Sequence, residues 1–356
     1  MKIKIVVTCA GSGGSNNLIR TIEERNKYFI IGTNVDKYKA AKSNADKNYV
    51  LPHASHEKMY LSKLKKLINL EKPDLIVAKS DAEVKVVSKY RDEIDSTVFL
   101  PDNKTIELCQ NKLDFYKFAK ANNINIAKTF EVKILDDIEN IFHQFDEYPL
   151  WCRLKNGSGS TAATKLKNPE QARFWINYWN IMRNVPVKDF IISEFLPGRD
   201  FACQSLWNNG QLILMKAAER LSYYGGSKKA SGMSSTPELA KTIYDKKLFN
   251  YCIDLIEKIS FEKPNGIYSI DLKLNSKNEI CVTEVNIGRF FMITPIFNLC
   301  GKYSMIDAYL KLALSRKEDL KIDEPFDFSE VYMSRDLDTL PLVMIEKEIN
   351  KRSQQL

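Results

Sequence analysis

The 356-residue chain has only three histidines, and its seven cysteines stand singly, with no Cys-x-x-Cys pair. That argues against zinc ribbons, a redox pair and a disulfide scaffold, and leaves little material for histidine-based catalysis. His53 and His56 would share a helix face, but no cysteine or third histidine lies nearby, so a surface loop suits them better than a metal. No apolar run reaches a membrane-spanning length, and Ile3–Ala10 passes straight into glycines without a signal-type stretch. No Gly-Lys-Ser/Thr occurs, which removes a Walker A loop. Glycine (14) and proline (12) are too few, and apolar residues (44%) too many, for disorder or collagen-like repeats. The expectation is a soluble cytoplasmic protein with no membrane partner, its cysteines core thiols in a reducing compartment. Oligomeric state is unreadable, so a homo-oligomer stays open.

The net charge of +8 is spread along the chain rather than gathered in a basic tail. A diffuse excess favours phosphorylated ligands, whereas nucleic-acid binding needs clustered basic and aromatic residues. The densest run, Lys63-Leu64-Lys65-Lys66, reads as the wet side of a helix, and no nucleic-acid partner is expected.

At 356 residues the chain holds two or three domains. Ile3–Val7 reads as a strand, followed by Gly11, Gly13 and Gly14 and an apolar helical pattern at Leu18, Ile19 and Ile22. Strand-like runs recur at Tyr28–Gly32, Asp74–Ala78 and Thr97–Leu100, the rhythm of a parallel Rossmann-like sheet. Ile106, Cys109, Leu113, Tyr116 and Ala119 then predict one amphipathic helix with Asn111 and Lys112 on its polar flank. Beyond it the pattern turns antiparallel: Pro149–Leu154, Thr161–Leu166, Asp189–Glu194, Asp200–Trp207 and Gln211–Ala217, with a turn at Asn208-Asn209-Gly210. Asp245 caps a further helix, with Thr236-Pro237 as an earlier alternative start, and Gly266–Leu274 with Glu279–Asn286 forms a last hairpin. The final 40 or so residues read as charged and irregular. The fold class is α/β, a Rossmann-like layer (1–108) leading into an α+β half divided at 190/191, with an extension over 316–356.

Four constellations could carry chemistry. The Ala10–Asn16 glycine turn offers N–H groups to an anion, with Asp36 as a ribose partner for NAD, though a plain tight turn explains it equally. Arg153 ends a strand before a Gly/Ser loop, Gly157, Ser158, Gly159 and Ser160, which reads as a phosphate-wrapping flap or as a mobile hairpin. In Ile191–Asp200 an apolar strand breaks at Pro197-Gly198, so main-chain groups near Glu194 could meet an adenine edge and Asp200 ribose hydroxyls, or the segment is a loop with a surface acid. In the last hairpin a turn centred on Ser276-Lys277 sets Asp271 opposite Val282 and Ser269 opposite Glu284. Asp271 and Glu284 then lie diagonally on one face with Ser269, Lys273, Val282 and Asn286, within reach of a shared hard cation, while Cys281 joins the other face. A solvated hairpin face is the plainer alternative.

Taken in order, Asn111-Lys112, Arg153 before Gly-Ser-Gly-Ser, Glu194-Phe195-Leu196-Pro-Gly-Arg-Asp200, Asp271 and Glu284-Val-Asn286 resemble the ATP-grasp superfamily, over residues 1 to about 312. Within it the pattern is similar to the carbamoyl-phosphate synthase large subunit and biotin carboxylase, with one ATP-binding unit only. The resemblance implies that Lys112 and Arg153 hold ATP phosphates, that Gly157–Ser160 closes as a flap, and that Glu194, Phe195 and Leu196 form the adenine hinge. It implies that Asp200 binds ribose and that Asp271, Glu284 and Asn286 coordinate Mg²⁺ or Mn²⁺. Arg289, displaced by one position from the family's Asn-Pro-Arg, and Arg220 become candidates for the acyl phosphate. The glycine turn then reads as part of the substrate layer rather than an NAD site. The implied function is an ATP- and Mg²⁺-dependent carboxylate–amine or carboxylate–ammonia ligase working through an acyl phosphate and releasing ADP and phosphate. The alternatives are a non-catalytic ATP-binding regulator and, further off, an NAD(P)-dependent oxidoreductase.

Overall fold

The computed structural model describes residues 2–157, 160–229, 231–232, 234, 236–335, 351–352 and 354–355. The first five strands, β1 (Ile3–Val7), β2 (Tyr28–Asn34), β3 (Lys47–Val50), β4 (Leu75–Val77) and β5 (Thr97–Val98), form a parallel sheet in the order β3-β2-β1-β4-β5. Side chains alternate across it. Ile5, Val7, Ile30 and Val77 pack one way, under α1 (Gly13–Arg20), while Val6, Ile31 and Ile76 pack the other. That second face lies under α3 (Glu57–Glu71) and α4 (Asp81–Lys89), with the short α2 (Lys37–Ala41) following β2. Covering both faces is what an all-parallel sheet requires. Lys63–Lys66 lie on α3, where Leu64 is buried and Lys66 exposed. His53 lies in the loop before α3, and His56 immediately precedes it.

The single helix predicted across 106–119 is two: α5 (Asn103–Gln110) and α6 (Lys112–Ala121). Asn111 breaks the run because its side chain accepts from the N–H groups of Leu113 and Asp114, capping α6 and placing Lys112 at its first turn. Four short strands follow, β6 (Thr129–Glu131), β7 (Leu150–Leu154), β8 (Thr164–Leu166) and β9 (Phe190–Glu194), ordered β6-β9-β7-β8, with α7 (Asp137–Phe142) and α8 (Pro169–Arg183) on them. Since β9 is paired within this small sheet, the sheet ends at Glu194, past the division expected at 190/191.

The large antiparallel sheet comprises β10 (Asp200–Asn208), β11 (Gln211–Tyr223), β12 (Pro237–Ile243), β13 (Gly266–Leu274), β14 (Ile280–Ile287) and β15 (Tyr332–Ser334), ordered β14-β13-β10-β11-β12-β15. Asn209-Gly210, both at positive φ, join β10 to β11 as the sequence suggests. Asp245 does cap α9 (Lys246–Ile259), so the alternative start at Thr236-Pro237 is wrong; Pro237 opens a strand. α10 (Thr294–Leu299) and α11 (Met305–Ala313) return to the first sheet, where Phe297, Met305 and Tyr309 complete the core beneath Ile5 and Ile30. The end of the chain is less irregular than expected: β15 pairs with β12, and β16 (Gln354–Gln355) adds in parallel to β3. All seven cysteines are free thiols, six of them buried. Among the described residues no helix is long and apolar enough to cross a membrane.

Candidate active site

Where the two antiparallel sheets face each other above the C-terminal strand ends of the parallel sheet, they enclose a cleft of about 380 Å³. Lys112, Arg153, Gly157, Ser160, Glu194, Phe195, Leu196, Asp200, Arg220, Asp271, Glu284, Asn286 and Arg289 all line it. Ser158 and Gly159 lie outside the described residues.

The β13–β14 hairpin differs from its sequence-derived register. Its loop is five residues long, built on Asn275, whose side-chain oxygen accepts from the N–H groups of Lys277 and Glu279. A bulge at Thr283 then slides the pairing so that Asp271 lies directly opposite Glu284, and Ser269 opposite Asn286. Val282 therefore pairs with Leu272 and Cys281 with Lys273, the reverse of the expected grouping; Val282 belongs to the core and its edge also lines the cleft, while Cys281 is buried. The bulge frees the Thr283 carbonyl, which accepts from Arg153 Nη2 at 3.0 Å. The diagonal acid pair is therefore a direct cross-strand pair, with Asn286 two residues along.

The cleft is a chain of alternating charges. Arg220 lies on β11 opposite Asp200 on β10, and its guanidinium bridges Asp200 (2.9 Å) and Asp271. The second Asp200 oxygen accepts from Tyr223 Oη at 2.6 Å, and Lys273 Nζ stands 3.7 Å away. Asp271 Oδ2 accepts from Asn286 Nδ2 at 2.7 Å, Asn286 Oδ1 accepts from Arg289, and Arg289 in turn pairs with Asp81 at the start of α4. Lys112 Nζ joins Glu284 Oε1 (3.1 Å) and donates to the Gly157 carbonyl (2.8 Å), tying the helix start to the flap. Burial, and the Glu284 charge, raise the Asp271 carboxyl above its ordinary value against the pull of Arg220. Burial acts the same way on Glu284, but Lys112, Arg153 and Arg289 outweigh it and hold that carboxyl below its ordinary value. Among the described residues Arg153 Nε is buried without a hydrogen-bond partner.

Asp271, Glu284 and Asn286 present hard oxygen donors with no histidine or cysteine. Among the described residues no group of three or more His, Cys, Asp and Glu side chains is placed to hold a metal unaided. That donor set fits Mg²⁺ or Mn²⁺, which take a few carboxylates and fill their shell with water and phosphate oxygens. At the hinge, Phe195 has Lys165 Nζ 4.7 Å from its ring centroid and Trp151 at 6.2 Å, an apolar wall with cations at its rim. The glycine turn does not line the cleft. A Cβ on Gly11 would stand 1.7 Å from the Lys39 carbonyl oxygen, and one on Gly14 2.6 Å from Met292 Sδ, so the turn is packed by the chain itself. Asp36 caps α2, which leaves the NAD reading without its ribose partner. Three titratable cleft residues escaped the sequence reading as site residues: Tyr223 and Lys273, which are ordinary strand residues until register is known, and Lys79. Only Lys79 had a signal, a basic residue directly after the apolar Leu75–Ala78 run.

Comparison with known proteins agrees with this architecture. The ATP-grasp domain family matches residues 109–290, and the chain belongs to that family. It is 25% identical over 224 residues to D-alanine–D-alanine ligase B of Clostridium perfringens, covering 59% of this chain and 70% of that protein. The fold resembles the L-amino acid ligase of Bacillus licheniformis (TM-score 0.67, 14% identity, 91% of this chain and 78% of that one). It equally resembles the N5-carboxyaminoimidazole synthase of Aspergillus clavatus in complex with ADP and 5-aminoimidazole ribonucleotide (TM-score 0.67, 14% identity, 93% and 81%). The fold class and the ATP-grasp family expected from the motifs both stand.

Proposed function

We propose that the protein joins a small carboxylic acid to an amine or ammonia at the expense of ATP, through an acyl phosphate, releasing ADP and phosphate. The observation that carries this is one cleft in which Lys112 and Arg153 converge on the acid pair Asp271 and Glu284 beside the Glu194–Leu196 hinge. ATP would lie with its adenine against Glu194, Phe195 and Leu196, its ribose toward Asp200, and its phosphates toward Lys112 and Arg153. Mg²⁺ or Mn²⁺, held by Asp271, Glu284 and Asn286, supplies positive charge to the phosphate oxygens when bound.

The substrate carboxylate oxygen attacks the γ-phosphorus and the bond to the ADP oxygen breaks. The amine nitrogen then adds to the acyl carbon, phosphate leaves, and the nitrogen surrenders a proton to solvent. Such chemistry builds charge on oxygen, so positioned cations suffice and no histidine is needed. Arg289, fixed by Asp81 and Asn286, and Arg220, fixed by Asp200 and Asp271, would meet the charge on the acyl phosphate. The flap at Gly157–Ser160, tied at Gly157 to Lys112, would exclude water that hydrolyses the intermediate. The similarity to a D-alanine–D-alanine ligase and the shared fold with an L-amino acid ligase support this reaction class.

The test is ADP release from Mg-ATP with pooled small carboxylates and amines. Release that needs both an acid and an amine is expected. Binding of Mg-ATP with no ADP formed across broad pools would favour a non-catalytic ATP-binding regulator, and no binding at all would refute both.

A further inference from the structure

The parallel sheet reverses strand order between β1 and β4, and in open sheets of this kind ligands settle outside the strand C-termini at that point. Two segments leave the sheet there. The one after β1 is the glycine turn, closed off by Met292. The one after β4 is Ala78-Lys79, and Lys79 opens into the same cleft as the acid pair.

Lys79 is held in place from both sides. Its main-chain N–H donates to Thr8 Oγ1 at 2.9 Å, spanning the reversal, and Thr8 Oγ1 donates onward to Glu83 at 2.6 Å. Its Nζ donates to the Phe290 carbonyl at 3.1 Å and stands 5.3 Å from the Phe290 ring. Lys112, Arg220, Lys273 and Arg289 each have a carboxylate within 4 Å, but among the described residues none pairs with Lys79. An ammonium has three donors, and here the described protein uses one.

Resting on the ligase reading, we propose that Lys79 is the receiving cation of the substrate subsite, and that the acid substrate is an anion whose carboxylate it holds at the strand-order reversal. Lys79 is thereby a specificity-determining residue supplied by the N-terminal layer, while the antiparallel sheets supply the nucleotide machinery. Burial and the charge of Arg289 push the Lys79 amine down to about 7, against the opposing pull of Cys9 and Glu83. An arriving carboxylate supplies the missing counter-charge and draws a proton onto Lys79. Anion affinity should therefore be greatest below pH 7 and fall as pH rises through that value.

The experiment measures binding of D- and L-amino acids and of dicarboxylic acids of two to six carbons to the full chain, by thermal shift and calorimetry, with and without Mg-AMP-PNP. At pH 6.5 at least one acid should bind the wild type, with affinity falling toward tenfold per unit between pH 7 and 9. Lys79→Met should weaken it tenfold or more without changing AMP-PNP affinity. Lys79→Arg, charged at every pH, should keep binding and flatten the pH profile, which a merely structural lysine would not do. No binding by any acid at pH 6.5, equal affinity in Lys79→Met, or an unchanged pH profile in Lys79→Arg would overturn the proposal. Failure to bind AMP-PNP would strike the ligase reading alone, because the anion titrations are also run without nucleotide.

Discussion

Arg220 is 9% exposed and stands between Asp200 (11%) and Asp271 (22%), so removing it leaves two half-dry carboxylates with no shared cation. Breaking a buried pair in this way costs on the order of 3 kcal/mol. Arg220→Met should lose about that much in chemical denaturation at pH 7. The sign of its pH dependence follows from Asp271, whose carboxyl is already raised by burial and by Glu284. A group raised in the folded state destabilises once pH exceeds its folded pKa, and without Arg220 that pKa climbs further. Arg220→Met should therefore recover part of its deficit between pH 7 and 5, and a constant deficit would contradict this. Glu284 runs the opposite way. Held low by Lys112, Arg153 and Arg289, it contributes stability above its ordinary value of about 4.3, and this is lost as pH falls below it. In Lys112→Met the folded-state carboxyl rises back toward its ordinary value, so the acid-induced loss should be smaller than in the wild type.

Two elements position these side chains through local chemistry. Asn111 caps α6, and Asn111→Ala should lower stability by about 1 kcal/mol. Because Lys112 is the first residue of that helix, the substitution should also weaken Mg-ATP binding, whereas Asn111→Asp should preserve both. Gly198 sits where the chain turns from β9 into β10. Its N–H donates to the Leu274 carbonyl at 3.0 Å, and a Cβ there would stand 2.5 Å from Leu274 Cβ. Gly198→Ala should push the hinge off the end of β13, displacing Asp200 from Arg220, and raise the Mg-ATP KM more than it lowers the melting temperature. An unchanged KM would show that the hinge tolerates the shift.

At this scale the sequence was readable where a residue acts on its immediate neighbours. Asn209-Gly210 and Asp245 announce a turn and a cap, and the order of Arg153, Glu194 and Asp271 announces the cleft. It was unreadable where register decides. The Thr283 bulge brings a carbonyl to Arg153 on another sheet, and no local pattern encodes it. Phe115 packs inward while Tyr116, chosen by periodicity, is half-buried, because Asn111 restarts the helical phase.

The whole molecule is closed by its late segments, whose composition suggested only an irregular extension. Asp327 accepts from the N–H groups of Lys302 and Tyr303 and pairs at 2.9 Å with Lys216, a lysine 1% exposed beneath the large sheet. A few residues on, β15 pairs with β12, and Arg335 donates to the carbonyl of Met292, the residue that packs against Gly14. These contacts link the large antiparallel sheet to the N-terminal layer. Asp327→Asn leaves Lys216 buried without its counter-ion and should cost about 3 kcal/mol. Burial opposes ionisation of Asp327, but the Lys302 and Tyr303 N–H groups and Lys216 outweigh it and hold the carboxyl below its ordinary value. Its stabilisation is complete above about 3.9 and is lost on acidification below that, so Asp327→Asn should show a smaller acid-induced loss than the wild type.

At the centre of the proposed reaction, Asp271 and Glu284 serve a nucleotide through a divalent cation. Calorimetric titration of AMP-PNP, with Mg²⁺ and with EDTA, into the wild type and the Asp271→Ala/Glu284→Ala double variant tests this most directly. The wild type should bind tightly only with Mg²⁺, and the double variant should stay folded but gain nothing from the metal. Equal, Mg²⁺-dependent affinity in both proteins would contradict it.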